Sequence, residues 1–215
     1  MFKPSSREIP IEKQAATLLF IDVQNYNARR DGGEYVGMST TELNERFGYF
    51  FDIIERETIS NMQKIQTACR ASQIEVMYTV IESLTKDGRD RSLDYKITGF
   101  NVPRDSWDAQ VLEAIAPADD EIVLSKTSSS VFISTNIDYV LRNLGTRYLV
   151  VVGFLTDQCI ESAVRDACDL GYLVTLVTDA CATLSAERHQ NSLNAIKGYC
   201  RQITTQEFLN ELSAG

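Results

Sequence analysis

Three side chains in this sequence stand where covalent chemistry is arranged: Asp22, Lys126 and Cys159. Asp22 closes the apolar run ATLLFIDV, Lys126 follows EIVL, and Cys159 follows RYLVVV after a short turn and opens a helical stretch. A thiol at a helix N-terminus sits in partial positive charge, which favours the nucleophilic thiolate. A neighbouring ammonium would favour it further. A carboxylate in reach can take the thiol proton and deliver it to a departing amine. The free N–H groups of the same helix N-terminus can hold an oxyanion. Each residue also has a plain reading: Cys159 as a packed thiol, Asp22 as a turn cap, Lys126 as a solvated loop lysine. Position alone leaves Cys159 evenly divided between the two. The occurrence of all three at strand ends favours chemistry.

The other titratable groups add less. The remaining cysteines are Cys69, Cys168, Cys181 and Cys200. Their wide spacings and the odd total exclude a zinc-finger pattern and argue against a disulfide framework, so they read as buried small hydrophobes. His189 is the sole histidine and lies in the polar helical stretch Ala186 to Gln190, where an exposed or capping role is expected. A Cys-His dyad would depend on it, and a catalytic zinc site usually needs more than one histidine. Gln24, Tyr26, Asn27, Glu82, Trp107 and Ser128 are candidates to line a substrate pocket. Ser129 and Ser130 extend the hydroxyl-rich loop, and Arg29 and Arg30 with Gly32 and Gly33 suggest a mobile loop near the site. No G-x-G-x-x-G, P-loop or G-x-S-x-G occurs, so no nucleotide cofactor is indicated.

The elements that position these residues are legible as a repeating pattern. Continuous apolar runs at Ala16 to Val23, Ile74 to Ile81, Glu121 to Leu124, Arg147 to Val152 and Tyr172 to Val177, with a weaker one at Cys200 to Thr204, predict strands buried on both faces. Ser39-Thr40-Thr41-Glu42 reads as a capping box opening a helix to about Ala71. Helices over Ser134 to Leu144 and Cys159 to Leu170 end at Gly145 and Gly171. Alternating strand and helix predicts a three-layer α/β/α sandwich around a doubly wound, six-stranded, mainly parallel sheet, with residues 1–215 as one domain. Ligands in such folds bind outside the carboxyl ends of the strands, where the three residues lie. A net charge of −9 argues against nucleic-acid and anionic-membrane partners. The first residues, Met1 to Arg7, lead into no apolar stretch of leader length, and a cytosolic location is expected.

Three motifs resemble the isochorismatase-like cysteine hydrolase superfamily: LLFIDVQN from Leu18 to Asn25, VLSKTSSSVF from Val123 to Phe132, and VVVGFLTDQCIESAVRDACDLGY from Val150 to Tyr172. The resemblance runs from Thr17 to about Thr205. It implies that Cys159 forms a covalent thioester-like intermediate, that Asp22 is the general acid/base, and that Lys126 orients and stabilises the charges. It implies an oxyanion hole from the backbone N–H groups of Leu155 and Cys159, and a cis peptide at Phe154–Leu155. Thr79-Val80-Ile81-Glu82-Ser83-Leu84 has no histidine where nicotinamidases carry an Asp/His metal site, so no metal or other cofactor is implied. Asp105-Ser106-Trp107-Asp108 and the Lys126 loop look most like the ureido and carbamoyl amidohydrolases, which implies a small-molecule amide or ureide substrate. A vinyl-ether hydrolase of the isochorismatase kind and an inactive binding member of the fold are the alternatives. Homodimers or homotetramers are the family expectation, and Phe47-Gly48-Tyr49-Phe50-Phe51 is the segment that hints at an interface unless it packs within its own subunit.

Overall fold

The computed structural model describes residues 6–214; the first five residues, part of the N-terminal stretch read above for a leader, lie outside it, as does residue 215. Six strands form one sheet: β1 (Ala16–Ile21), β2 (Glu75–Ile81), β3 (Ile122–Lys126), β4 (Tyr148–Phe154), β5 (Leu173–Ala182) and β6 (Arg201–Ile203). Their order is β3-β2-β1-β4-β5-β6, and every neighbouring pair is parallel. The order reverses direction at β1, so β1, β2 and β4 meet where a doubly wound sheet places its ligand crevice.

Both sheet faces are covered, as the continuous apolar runs require. Leu18 and Phe20 of β1 face one core with Phe50, Phe51, Met62 and Phe208, while Leu19 and Ile21 face the other with Val131, Val164 and Leu193. The first layer is α2 (Thr40–Ile53), α3 (Ile59–Ala71) and α9 (Thr205–Ala214); the second is α5 (Val131–Ser134), α6 (Ile137–Asn143), α7 (Glu161–Asp169) and α8 (Ala186–Ile196). Two short helices, α1 (Asn25–Ala28) and α4 (Leu93–Thr98), lie beyond the strand ends.

Three sequence expectations are adjusted. The long helix from Ser39 begins as expected, with the Ser39 hydroxyl accepting from Glu42 N, but a π-turn at Ile54–Thr58 divides it into α2 and α3. The Ser134 to Leu144 helix is two pieces, α5 and α6. Phe47, Phe50 and Phe51 are buried in the subunit's own core, leaving only Tyr49 of that segment well exposed, so this sequence argument for an interface is removed.

Gly153 shows how tightly the central strands meet. Its φ is +134°, and a Cβ there would lie 2.1 Å from the Ile21 carbonyl oxygen. Both features admit glycine alone. Gly153→Ala is therefore expected to cost at least about 2 kcal/mol, read as a melting temperature lower by roughly 5 °C or more; an unchanged melting temperature contradicts this close approach.

Candidate active site

Asp22, Lys126 and Cys159 converge because their strands are adjacent and parallel. Asp22 is the first residue beyond β1 and adopts φ +56°, a left-handed conformation that aspartate tolerates better than most residues. Its N–H donates to the Thr79 carbonyl at 2.9 Å, which keeps it in register with β2. Lys126 is the last residue of β3 and pairs with Ile81 of β2. Beyond β4, the Phe154–Leu155 peptide is cis, and a π-turn over Thr156–Ile160 carries Cys159 into α7. Cys159 thus lies within this π-turn, two residues before α7 begins.

The Lys126 ammonium lies 2.8 Å from Asp22 Oδ2, and both side chains are essentially inaccessible to solvent. The same ammonium donates to the Ser128 carbonyl at 2.8 Å, to the Tyr95 hydroxyl at 3.2 Å and toward Cys159 Sγ at 3.4 Å. The Asp22 carboxylate faces the Cys159 thiol and the Thr79 hydroxyl as well. Burial raises Asp22 above the usual carboxylate range despite the opposing Lys126 charge. Burial alone would lower Lys126, but the Asp22 charge and the Cys159 sulfur outweigh it and hold the ammonium. Burial pushes the Cys159 thiol up to about 12; Lys126 opposes this and Asp22 adds to it. The resting group is therefore a neutral thiol, not the thiolate that helix position and the lysine suggested from sequence.

A cavity of about 610 Å³ opens over this trio. Asp22 and Cys159 lie in its wall with Asn27, Tyr95, Phe100, Ser129, Leu155 and Gln158, while Glu34 and Arg46 contribute charge. Burial raises Glu34 to about 7. Leu155, the other residue expected to contribute an N–H to an oxyanion hole, also lines this cavity. A larger cleft of about 720 Å³ between residues 10–14 and α9 offers no nucleophile, and its charged groups are engaged, Glu211 by Arg201 and Lys13 by the Leu212 carbonyl.

Of the six sequence candidates for substrate contact, only Asn27 lines the cavity. Gln24 is buried and acts as a splice: its Oε1 accepts from Ile81 N at 2.6 Å, and its Nε2 donates to the carbonyls of Ile81 and Asp108. Tyr26 is buried one layer back, edge-on to Phe100. Glu82 accepts from Asp105 N and from the Ser125 hydroxyl. Trp107 lies half-exposed under the Arg29 guanidinium, and the Ser128 carbonyl is spent on Lys126. In the loop expected to be mobile, Arg29 pairs with Asp31 and Arg30 with Glu55 at the surface, and neither arginine lines the cavity.

Sequence reasoning missed two features. Tyr95 of α4 is buried against Lys126 in the cavity wall. Helix α8 clamps the nucleophile turn from behind: His189 Nδ1 and the Thr156 hydroxyl are bonded at 2.9 Å, Arg188 donates to Asp157 at 2.6 Å, and the Ser192 hydroxyl lies 3.1 Å from the Thr156 carbonyl. His189 is thus half-buried and engaged, not a surface residue. Among the described residues no group of three or more His, Cys, Asp or Glu side chains is placed to hold a metal, and no helix is long and apolar enough to cross a membrane.

The isochorismatase domain family matches residues 16–208, nearly the whole chain. The chain belongs to the isochorismatase family. Among curated members, the ureidoacrylate amidohydrolase RutB of Rhizobium rhizogenes (strain K84 / ATCC BAA-868) is 29% identical over 97% of this chain and 88% of its own length. RutB of Acinetobacter baylyi (strain ATCC 33305 / BD413 / ADP1) is 26% identical over 98% of this chain and 89% of its own. A cysteine hydrolase from Pseudomonas syringae pv. phaseolicola 1448A superposes with a TM-score of 0.82 at 25% identity, covering 100% of this chain and 99% of that one. N-carbamoylsarcosine amidase from Thermoplasma acidophilum shares the fold, with a TM-score of 0.66 at 22% identity over 88% and 96% of the two chains.

The raised thiol sets a pH dependence. Below its pKa the thiolate fraction climbs about tenfold per pH unit. Iodoacetamide labelling of the Cys159 peptide, followed by mass spectrometry, should accelerate from pH 7 to 9 without levelling; a plateau below pH 8 contradicts the buried neutral thiol.

Proposed function

We propose that this chain is a cysteine-dependent hydrolase that cuts the C–N bond of a small amide, ureido or carbamoyl compound. The observation that carries this reading is the contact set of Lys126 Nζ, 2.8 Å from Asp22 Oδ2 and 3.4 Å from Cys159 Sγ, beneath a cavity open to a ligand. Membership of the isochorismatase family and the printed names of the curated relatives, ureidoacrylate amidohydrolases, support the same bond class.

The chemistry follows from the protonation states. A thiol held near 12 attacks only if its proton leaves as the S–C bond forms. Asp22 takes that proton, with Lys126 balancing the charge. The carbonyl π pair moves to oxygen, where the backbone N–H groups of Leu155 and Cys159 receive it. Collapse breaks the C–N bond, and Asp22 returns the proton to the departing nitrogen. Water, activated by the same carboxylate, then attacks the acyl-cysteine, releases the acid and restores the thiol. The proton transfers contribute about 10² to 10⁴ in rate in such sites.

Cys159→Ala should abolish ammonia release from a panel of ureido, carbamoyl and primary-amide compounds, a loss of roughly 10³-fold or more, with the circular dichroism spectrum and melting temperature retained. Undiminished turnover in that variant refutes the reading. Turnover of a vinyl ether without release of ammonia or an amine would move the chain to the other chemistry of its family.

A further inference from the structure

Two side chains in the cavity wall have hydrogen-bonding capacity that the protein does not use. Tyr95 is 5% exposed, and its hydroxyl accepts from Lys126 at 3.2 Å. That bond fills the acceptor side of the oxygen, and among the described residues its own proton has no acceptor. Asn27 is 6% exposed. Its backbone carbonyl accepts from the Tyr35 hydroxyl at 2.6 Å, yet its Oδ1 is buried with no partner, and its side chain makes no hydrogen bond among the described residues. Buried polar groups in folded proteins are almost always paired, and an orphan needs a reason. Here both orphans line the cavity that holds Cys159.

Neither is a slack surface group that could turn to water. The Tyr95 ring packs on Phe100 at 5.2 Å, and α4 begins at a Ser92 cap that fixes its first turn. Asn27 lies in α1, whose start is held by Asn25 N donating to the Gln110 carbonyl at 2.9 Å. The two groups are presented on fixed supports from opposite ends of the sequence before β3.

We infer that Asn27 and Tyr95 form the substrate-reading pair of this site and that the group they read is the C(=O)–N–H unit of an amide or ureide. The phenol donates to a lone pair of the substrate beside the scissile bond. The carboxamide offers N–H and C=O side by side, which matches the adjacent C=O and N–H of a carbamoyl-nitrogen group. An ester or vinyl ether supplies acceptors only and leaves the Asn27 carbonyl unpaired. Lys126 donates into the phenol and polarises it, strengthening the outgoing bond. A site built to pair with a substrate N–H rejects analogues lacking it, because its own polar group is then stranded. This inference rests on the amidohydrolase reading and narrows it.

The test uses Tyr95→Phe and Asn27→Leu against three probes: N-carbamoylglycine, N-carbamoyl-β-alanine and the activated ester p-nitrophenyl acetate. Phenylalanine keeps the packing on Phe100, and Lys126 keeps Asp22 and Ser128, so that variant should fold whatever Asn27→Leu does. Each variant should lower kcat/KM on the ureides by about tenfold or more, the worth of one buried hydrogen bond. The burst rate of nitrophenolate release should fall by less in each variant, since the ester offers no N–H for the Asn27 carbonyl and its leaving group needs no hydrogen bond to depart. A purely structural role would lower both rates together. Equal losses on ester and ureide, or no loss on the ureides, overturn the pair while leaving the amidohydrolase reading in place. A wild-type protein that turns over the ester but no ureide or amide overturns both.

Discussion

The ion pair between Lys126 and Asp22 is the constraint on which the site depends. Two full charges sit 2.8 Å apart with almost no access to water. Neither tolerates that burial alone: stripping one partner from such a pair costs about 3–5 kcal/mol. The pair needs both strand ends at fixed height, and the parallel register β1–β2–β3 supplies it. The splice made by Gln24 extends that register one step past the strands, tying β1 to the end of β2 and to the loop at Asp108. The nucleophile arrives from the opposite neighbour, β4, at a distance set by the close approach of Gly153 to Ile21.

This arrangement has a consequence for reactivity. Burial protects the charges of the pair from screening, and the same burial keeps the sulfur protonated. The thiol is activated at the moment of reaction, by a carboxylate whose own proton affinity has been raised by burial toward that of the departing nitrogen. A thiolate held permanently beside Lys126 would be open to oxidation and alkylation throughout the resting state. The clamp of α8 on Thr156 and Asp157 keeps the sulfur aligned without an imidazole at the reacting atom.

Much of this was legible in the sequence, for a physical reason. Continuous apolar runs report a parallel sheet, parallel sheets bring their carboxyl ends to one edge, and Asp22, Lys126 and Cys159 each follow such a run. What failed to transmit was the balance of terms within the site. Charge proximity argued for a lowered thiol pKa, and only the folded structure reveals that desolvation wins. Residues near the motifs in sequence sit elsewhere: Gln24 and Glu82 hold strand ends and loops together, and Trp107 lies under Arg29, all outside the cavity wall. Tyr95 was hidden by the opposite error. In LDYKIT the i, i+4 pair Leu93 and Ile97 marks the apolar face, yet both are about three-quarters exposed and the tyrosine between them turns inward. The helix capped by Ser92 and ended at Gly99 is only six residues long, too short for periodicity to orient.

The central claim is that Cys159 becomes acylated because Asp22, balanced by Lys126, removes its proton. Rapid-quench mass spectrometry of the protein during turnover of an N-carbamoyl compound measures this most directly. The account predicts a transient adduct of the carbamoyl or acyl mass confined to the Cys159 peptide, absent in Asp22→Asn. Turnover without any adduct on that peptide, or an adduct that forms equally fast in Asp22→Asn, would contradict it.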